Sequence, residues 1–74
     1  MASVPNVTIK ATETGISVIA DSGFNEVWCG DNCLGYVKGP GERSFPLKKG
    51  KYEIVVYCSG IISVRQNVVI VGDK

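Results

Sequence analysis

Apolar side chains fall on every second position through residues 52–58, so that Tyr52, Ile54, Val56 and Cys58 share one face of an extended chain while Glu53, Val55 and Tyr57 share the other. This period of two recurs along the chain. Ile16, Val18 and Ala20 alternate with Ser17 and Asp21, with Ile19 as the exception. Ile62, Val64, Val68 and Ile70 are expected on one side of a last strand, with Ser63, Arg65 and Asn67 opposite. No segment shows the 3.6-residue period of an amphipathic helix, so the chain is restricted to strands and turns.

Turn residues divide the alternation into short pieces. Residues 7–10 read as a first strand, at a sheet edge because Pro5 precedes them, and Thr14-Gly15 ends it. Residues 22–25 turn the chain, and residues 26–29 and 33–38 form a hairpin around a loop of Gly30, Asp31 and Asn32. Residues 39–42 read as a loop, residues 43–47 as an edge strand or bend because of Pro46, and residues 48–51 as the next turn. Ser59-Gly60 reverses the chain into the last strand. About seven short antiparallel strands in 74 residues imply an all-β domain, either a sandwich or a small barrel of the SH3 or OB kind.

At 74 residues the whole chain is expected to be one domain, with residues 1–6 as a flexible N-terminal arm. A domain of this size buries only about 60% of the surface its unfolded chain exposes, so its core is a single thin layer. A hydrophobic content of 45% excludes general disorder. No apolar run approaches the roughly 20 residues of a membrane helix, and residues 1–6 carry neither the basic nor the apolar stretch of a signal peptide. The expected location is therefore cytoplasmic or virion-associated, unless the sequence is an excised domain of an exported protein. The net charge of +1 gives little steering toward nucleic acid or acidic lipid, and the absence of histidine removes the commonest general base and zinc ligand. No catalytic constellation, cofactor motif or metal set is legible, and the chain reads as a non-enzyme.

The order of motifs resembles a known group. Gly15-Ile16-Ser17-Val18, Glu26-Val27-Trp28 before Cys29-Gly30-Asp31, Leu34-Gly35, the run from Phe45 through Leu47-Lys48-Lys49-Gly50-Lys51-Tyr52 to Val56, Gly60, and the closing Asn67-Val68-Val69-Ile70-Val71 follow one another as in PEGA-type domains. The pattern is similar also to related small immunoglobulin-like or transthyretin-like sandwiches. It covers residues 15–71 and departs from the family before the Val27 and Phe45 strands, where Pro-x-Gly-Ala and Thr-Pro are usual. The resemblance implies an immunoglobulin-like β-sandwich that serves as a surface, adhesive or interaction module without a common catalytic site.

Three sets of residues could carry chemistry. If residues 30–32 form a three-residue loop, Cys29 and Cys33 face each other closely enough for a disulfide, and Cys58 could join the set. The alternatives are three reduced cysteines acting as small apolar residues, since Cys58 continues the Tyr52 stripe, or a thiolate metal site, which the spacing supports least. Trp28 and Tyr57 alternate out of phase with their apolar neighbours and, with Tyr36, are candidates for an outward-facing recognition surface; the alternative is that they are core residues of a second covered face or simply pair across an exposed sheet. Lys48, Lys49 and Lys51, with Arg43 and Lys38 as candidate extensions, form a basic corner that beside aromatics would suit nucleic acid, and on its own is a solvated turn. Asp31 and Asn32 beside Asp21 are too sparse for a calcium site.

The leading expectation is a non-catalytic structural or interaction module, such as a coat, decoration or surface protein of a virus, working through a protein partner or self-association at weakly protected strand edges. The alternatives are a carbohydrate-binding module using the aromatic face and a small nucleic-acid-binding barrel.

Overall fold

The computed structural model describes residues 5–72. Seven strands follow in order: β1 (Val7–Ala11), β2 (Gly15–Ala20), β3 (Phe24–Cys29), β4 (Asn32–Lys38), β5 (Gly41–Pro46), β6 (Gly50–Cys58) and β7 (Ile61–Ile70). They form two antiparallel sheets, one ordered β1-β2-β5 and the other β4-β3-β6-β7. The architecture is thus an all-β sandwich of two separate sheets, in place of the alternative closed barrel.

The alternation expected from the sequence sets the core. Ile9, Ile16, Val18, Ala20 and Phe45 of the three-stranded sheet meet Val27, Val37, Ile54, Val56, Val68 and Ile70 of the four-stranded one, and all are buried. Tyr52 and Cys29 pack at the margin of this layer. The layer is one side chain deep from each sheet, as two-sheet packing requires.

Two hairpin turns fix how β3, β4, β6 and β7 are aligned. At Ser59-Gly60 both residues have positive φ, 54° and 79°, the type I′ geometry whose twist suits a two-residue hairpin. The β3–β4 link is the two-residue turn Gly30-Asp31, in which Gly30 has φ 59° and Asp31 does not share the positive φ, as in a type II′ turn. The expected three-residue loop is therefore shorter by Asn32, which pairs with Cys29. Each hairpin also carries a bulge. Val27 pairs with Gly35 but Trp28 with Cys33, leaving Leu34 extra, and Val56 pairs with Val64 but Tyr57 with Ile62, leaving Ser63 extra.

The Ser63 bulge corrects the expected face of Ile62. Opposed residues of an antiparallel pair point to the same side, so Ile62 stands with Tyr57 on the outer face and not with Val64, Val68 and Ile70. Strand limits differ in three further places. β3 begins at Phe24, within the expected turn, β5 begins at Gly41, within the expected loop, and β6 begins at Gly50, before Tyr52.

The two open seams of the sandwich are closed by one long polar side chain each. On one side Gln66 of β7 donates from Nε2 to the carbonyl of Ile9 in β1, at 3.1 Å. On the other, Arg43 of β5 donates from a guanidinium nitrogen to the carbonyl of Tyr36 in β4 at 2.9 Å, while its Cζ lies 4.9 Å from the centre of the Phe45 ring. Gly35 makes this possible: a Cβ there would come within 3.1 Å of both the Arg43 guanidinium and the Phe45 ring. Arg43 is thus committed to the seam and does not extend the lysine corner.

Asn25 secures the passage from β2 to β3. Fully buried, it donates from Nδ2 to the carbonyls of Ser22 at 2.9 Å, Gly23 at 3.2 Å and Val37 at 3.0 Å, tying the turn to β4. At the start of the described chain, Asn6 donates its backbone N–H to Asp21 at 2.9 Å, which holds the Asp21 carboxyl below its ordinary range. Residues 1–4 of the expected N-terminal arm lie outside the described residues.

This core gives a direct contrast. Ile54→Ala removes a fully buried side chain from the central strand and should cost about 2–4 kcal/mol of unfolding free energy. Lys48→Ala, at an exposed link residue whose backbone carbonyl alone accepts the Tyr52 hydroxyl, should change it by less than about 0.5 kcal/mol. Urea denaturation followed by Trp28 fluorescence measures both.

Candidate functional site

The outer faces of the two sheets differ in kind. On β1-β2-β5 the opposed rows are Thr8, Ile19 and Glu42, then Lys10, Ser17 and Ser44. Five of these six are polar or charged, and the Ser17 hydroxyl donates to the Glu42 carboxylate. That surface is satisfied by water and by itself.

On β4-β3-β6-β7 the outer face reads Tyr36, Glu26, Tyr57 and Ile62 across one row, and Cys33, Trp28, Val55 and Arg65 across the next. Beyond the first row Phe24 stands opposite Lys38 and stacks on Tyr36, with ring centres 4.7 Å apart and planes at 24°. Phe24 is 59% exposed, Tyr36 42% and Ile62 41%, whereas Val55, in the middle of the face, is only 8% exposed. Trp28 and Tyr57 are half-buried beside it.

Between β3 and β6 this face is hollowed into an open groove of about 420 Å³. Trp28, Val55 and Tyr57 form its apolar part and Glu26 and Asp31 its acidic part, with the turns at Gly30 and Gly60 at its ends. Trp28 Nε1 donates to Glu26 Oε1 at 3.4 Å, fixing the indole along the strand. On the β7 side, Arg65 and Glu53 form an exposed ion pair at 3.9 Å, of the kind that adds little to stability.

The sequence-derived candidates separate on this frame. Trp28, Tyr36 and Tyr57 do share one outward face. Lys48 and Lys49 lie in the link before β6, and Lys51 pairs with Val69 near its start. Tyr57 is six residues further along the strand, about 20 Å at the usual rise. The lysine corner thus stands at the opposite end of the sheet from Tyr36 and Tyr57, and the three do not form one basic aromatic groove.

The cysteines do not come together. Cys29 packs at the core margin, Cys33 is exposed on the outer face opposite Trp28, and Cys58 is opposite Asn25 at the far end of β3. The geometry that would have joined Cys29 to Cys33 needed a three-residue loop; with the two-residue turn Cys29 is opposite Asn32 and Cys33 is opposite Trp28, so the two cysteines point to opposite sides. All three thiols are free, and among the described residues no cluster of metal-ligating side chains occurs. Burial pushes the Cys29 thiol above its ordinary range.

The alternation reading missed four contributors to the face. Glu26 and Phe24 follow from counting back by two from Trp28, which the assignment of Phe24 to a turn obscured. Val55 was visible as the partner of Tyr57 on the outer side of β6. Ile62 was hidden by the Ser63 bulge, which carries no local signal.

No family model matches the chain, and no curated protein or solved structure matches it. The resemblance to PEGA-type domains rests on the residue pattern alone.

Thiol accessibility tests this geometry. With iodoacetamide on the native protein, Cys33 should be alkylated first and Cys29 last, because the thiolate is the reactive form and the raised Cys29 thiol yields it only at higher pH. Peptide mass spectrometry against time gives the order. Equal rates would place Cys29 outside the core margin.

Proposed function

We propose that the protein is a non-catalytic interaction module of the immunoglobulin-like or PEGA-like kind, binding a protein partner or a further copy through the outer face of β4-β3-β6-β7. The single observation that carries this is the contrast between the sheets: one outer face is polar except for Ile19 and the pair of Gly15 and Pro46, and the other presents Phe24, Trp28, Tyr36, Val55, Tyr57 and Ile62 together. A contiguous aromatic and aliphatic surface rimmed by charges is the composition of a protein contact, where Trp and Tyr supply most of the binding energy. The strand order β1-β2-β5 against β4-β3-β6-β7 supports the immunoglobulin-like part of the reading. A coat or decoration role is the form this takes if the partner is a further copy.

A carbohydrate is the second reading, favoured by Trp28 and Tyr57 lying in one groove with the carboxylates of Glu26 and Asp31. Nucleic acid has less support, because the groove lining has no cation and the lysine corner is remote from Tyr36 and Tyr57.

Affinity capture from the source cell extract with three immobilised forms separates these readings. The wild type and the Thr8→Ala/Lys10→Ala form, altered on the polar sheet, should retain the same protein. The Trp28→Thr/Tyr57→Thr form should lose it. Retention by the outer-face variant, or loss with the polar-sheet variant, would contradict the assignment, and elution by a soluble oligosaccharide would favour the carbohydrate.

A further inference from the structure

The centre of the aromatic face holds a carboxylate for which the described residues supply no counterion. Glu26 is half-buried, and its neighbours across the sheet are Tyr36 on β4 and Tyr57 on β6, neither of them a cation. Two residues along β3, on the same side, stands Trp28, whose indole N–H is the only protein donor to the Glu26 carboxylate among the described residues, at 3.4 Å. The other outward glutamate of this sheet, Glu53, has Arg65. Glu26 has no such partner, although a carboxylate on an apolar face is costly unless paired. Asp31 adds a second acidic group to the same groove, and none of the lining residues is basic.

Three aromatic rings around a carboxylate make a site for a cation. The faces of Trp and Tyr attract positive charge through their quadrupoles, and a carboxylate between them supplies the charge-assisted hydrogen bond. Among biological cations the guanidinium suits this arrangement best, since it is planar, stacks on aromatic rings and donates in a fork that matches a carboxylate. An ammonium is more strongly hydrated and loses more on entering a groove floored by Val55.

We propose that the groove between β3 and β6 receives an arginine side chain of the protein partner, stacked against Trp28 and Tyr57 and paired with Glu26. This rests on the reading of the outer face as a protein-binding surface and names the chemistry it selects. The shape is consistent with it, because the groove is open along its length, and an arginine presented on a strand or loop could enter without any movement of the sheet.

Trp28 is the only tryptophan of the chain, so its fluorescence reports the groove alone. The full-length protein is titrated with N-acetyl-argininamide, with the isosteric neutral N-acetyl-citrullinamide, and with cellohexaose. The expected result is a saturable change with the arginine compound and binding weaker by about tenfold with citrulline. Glu26→Gln, which keeps the side-chain shape, should shrink that difference to the few-fold that the ring faces and Asp31 supply, while leaving the urea midpoint unchanged.

Equal binding of the arginine and citrulline compounds, a difference that Glu26→Gln leaves undiminished, or saturation by cellohexaose without saturation by the arginine compound would overturn the proposal. These outcomes are independent of the partner-capture experiment. If capture still depends on Trp28 and Tyr57 but no arginine compound binds, the protein-binding surface stands and the cation site falls.

Discussion

β6 carries apolar residues on both of its faces, and the chain supplies a cover for only one of them. Ile54 and Val56 point into the sandwich and are fully buried, while Val55 and Tyr57 point out. A strand with two apolar faces belongs in the middle of a layered structure with packing on both sides. Here the second sheet has three strands and closes over the inner face alone. The outer face is partly sheltered by its own aromatic side chains, which is why Val55 is 8% exposed, and Trp28 and Tyr57 stay half-open to solvent. The open aromatic face arises from this mismatch between a strand fit for two layers of cover and the described residues, which provide one.

The edges of the sandwich follow a different logic. A two-sheet domain has four edge strands, and exposed edges invite pairing with other chains. On each side one long side chain spans from sheet to sheet, Gln66 to the Ile9 carbonyl and Arg43 to the Tyr36 carbonyl. The bulges at Leu34 and Ser63 interrupt the regular ladders in both outer hairpins of the larger sheet. Bulges of this kind increase local twist and make an edge a poorer template. The bulges lie in the hairpins of the larger sheet, whereas β1 and β5, the edges that the sequence pointed to, are tied to the other sheet through Gln66 and Arg43.

Much of this was legible in the residues. Alternation located every strand and named Trp28 and Tyr57 as outward, because the period of a strand assigns faces without any knowledge of its neighbours. What alternation cannot register is a residue inserted into a ladder. Ser63 changes the face of Ile62 through the register with β6, a long-range property, and the shortened turn changes the relation of Cys29 to Cys33. Gly30 in the first position of a two-residue turn was the local sign that residues 30–32 would not form a three-residue loop. Arg43 looked like part of a basic patch because its partner, the carbonyl of Tyr36, lies in a strand of the other sheet. The six-residue offset from Lys51 to Tyr57 on β6 could be counted in the sequence, whereas the distance of the lysines from Tyr36 on β4 emerged only with the strand order of the sheet.

The central claim is that Trp28 and Tyr57 serve a surface and not the fold. The unfolding free energy of the Trp28→Thr/Tyr57→Thr protein, from urea denaturation followed by circular dichroism, tests it directly. Threonine keeps the strand preference while removing the rings. If the rings belong to a binding surface, the loss stays under about 1 kcal/mol, in the range of surface substitutions and the few contacts made with Val55. A loss of about 3 kcal/mol or more, as for emptying a core position, would show that the aromatic layer is the missing cover of the sheet and that the face exists to hold the fold together.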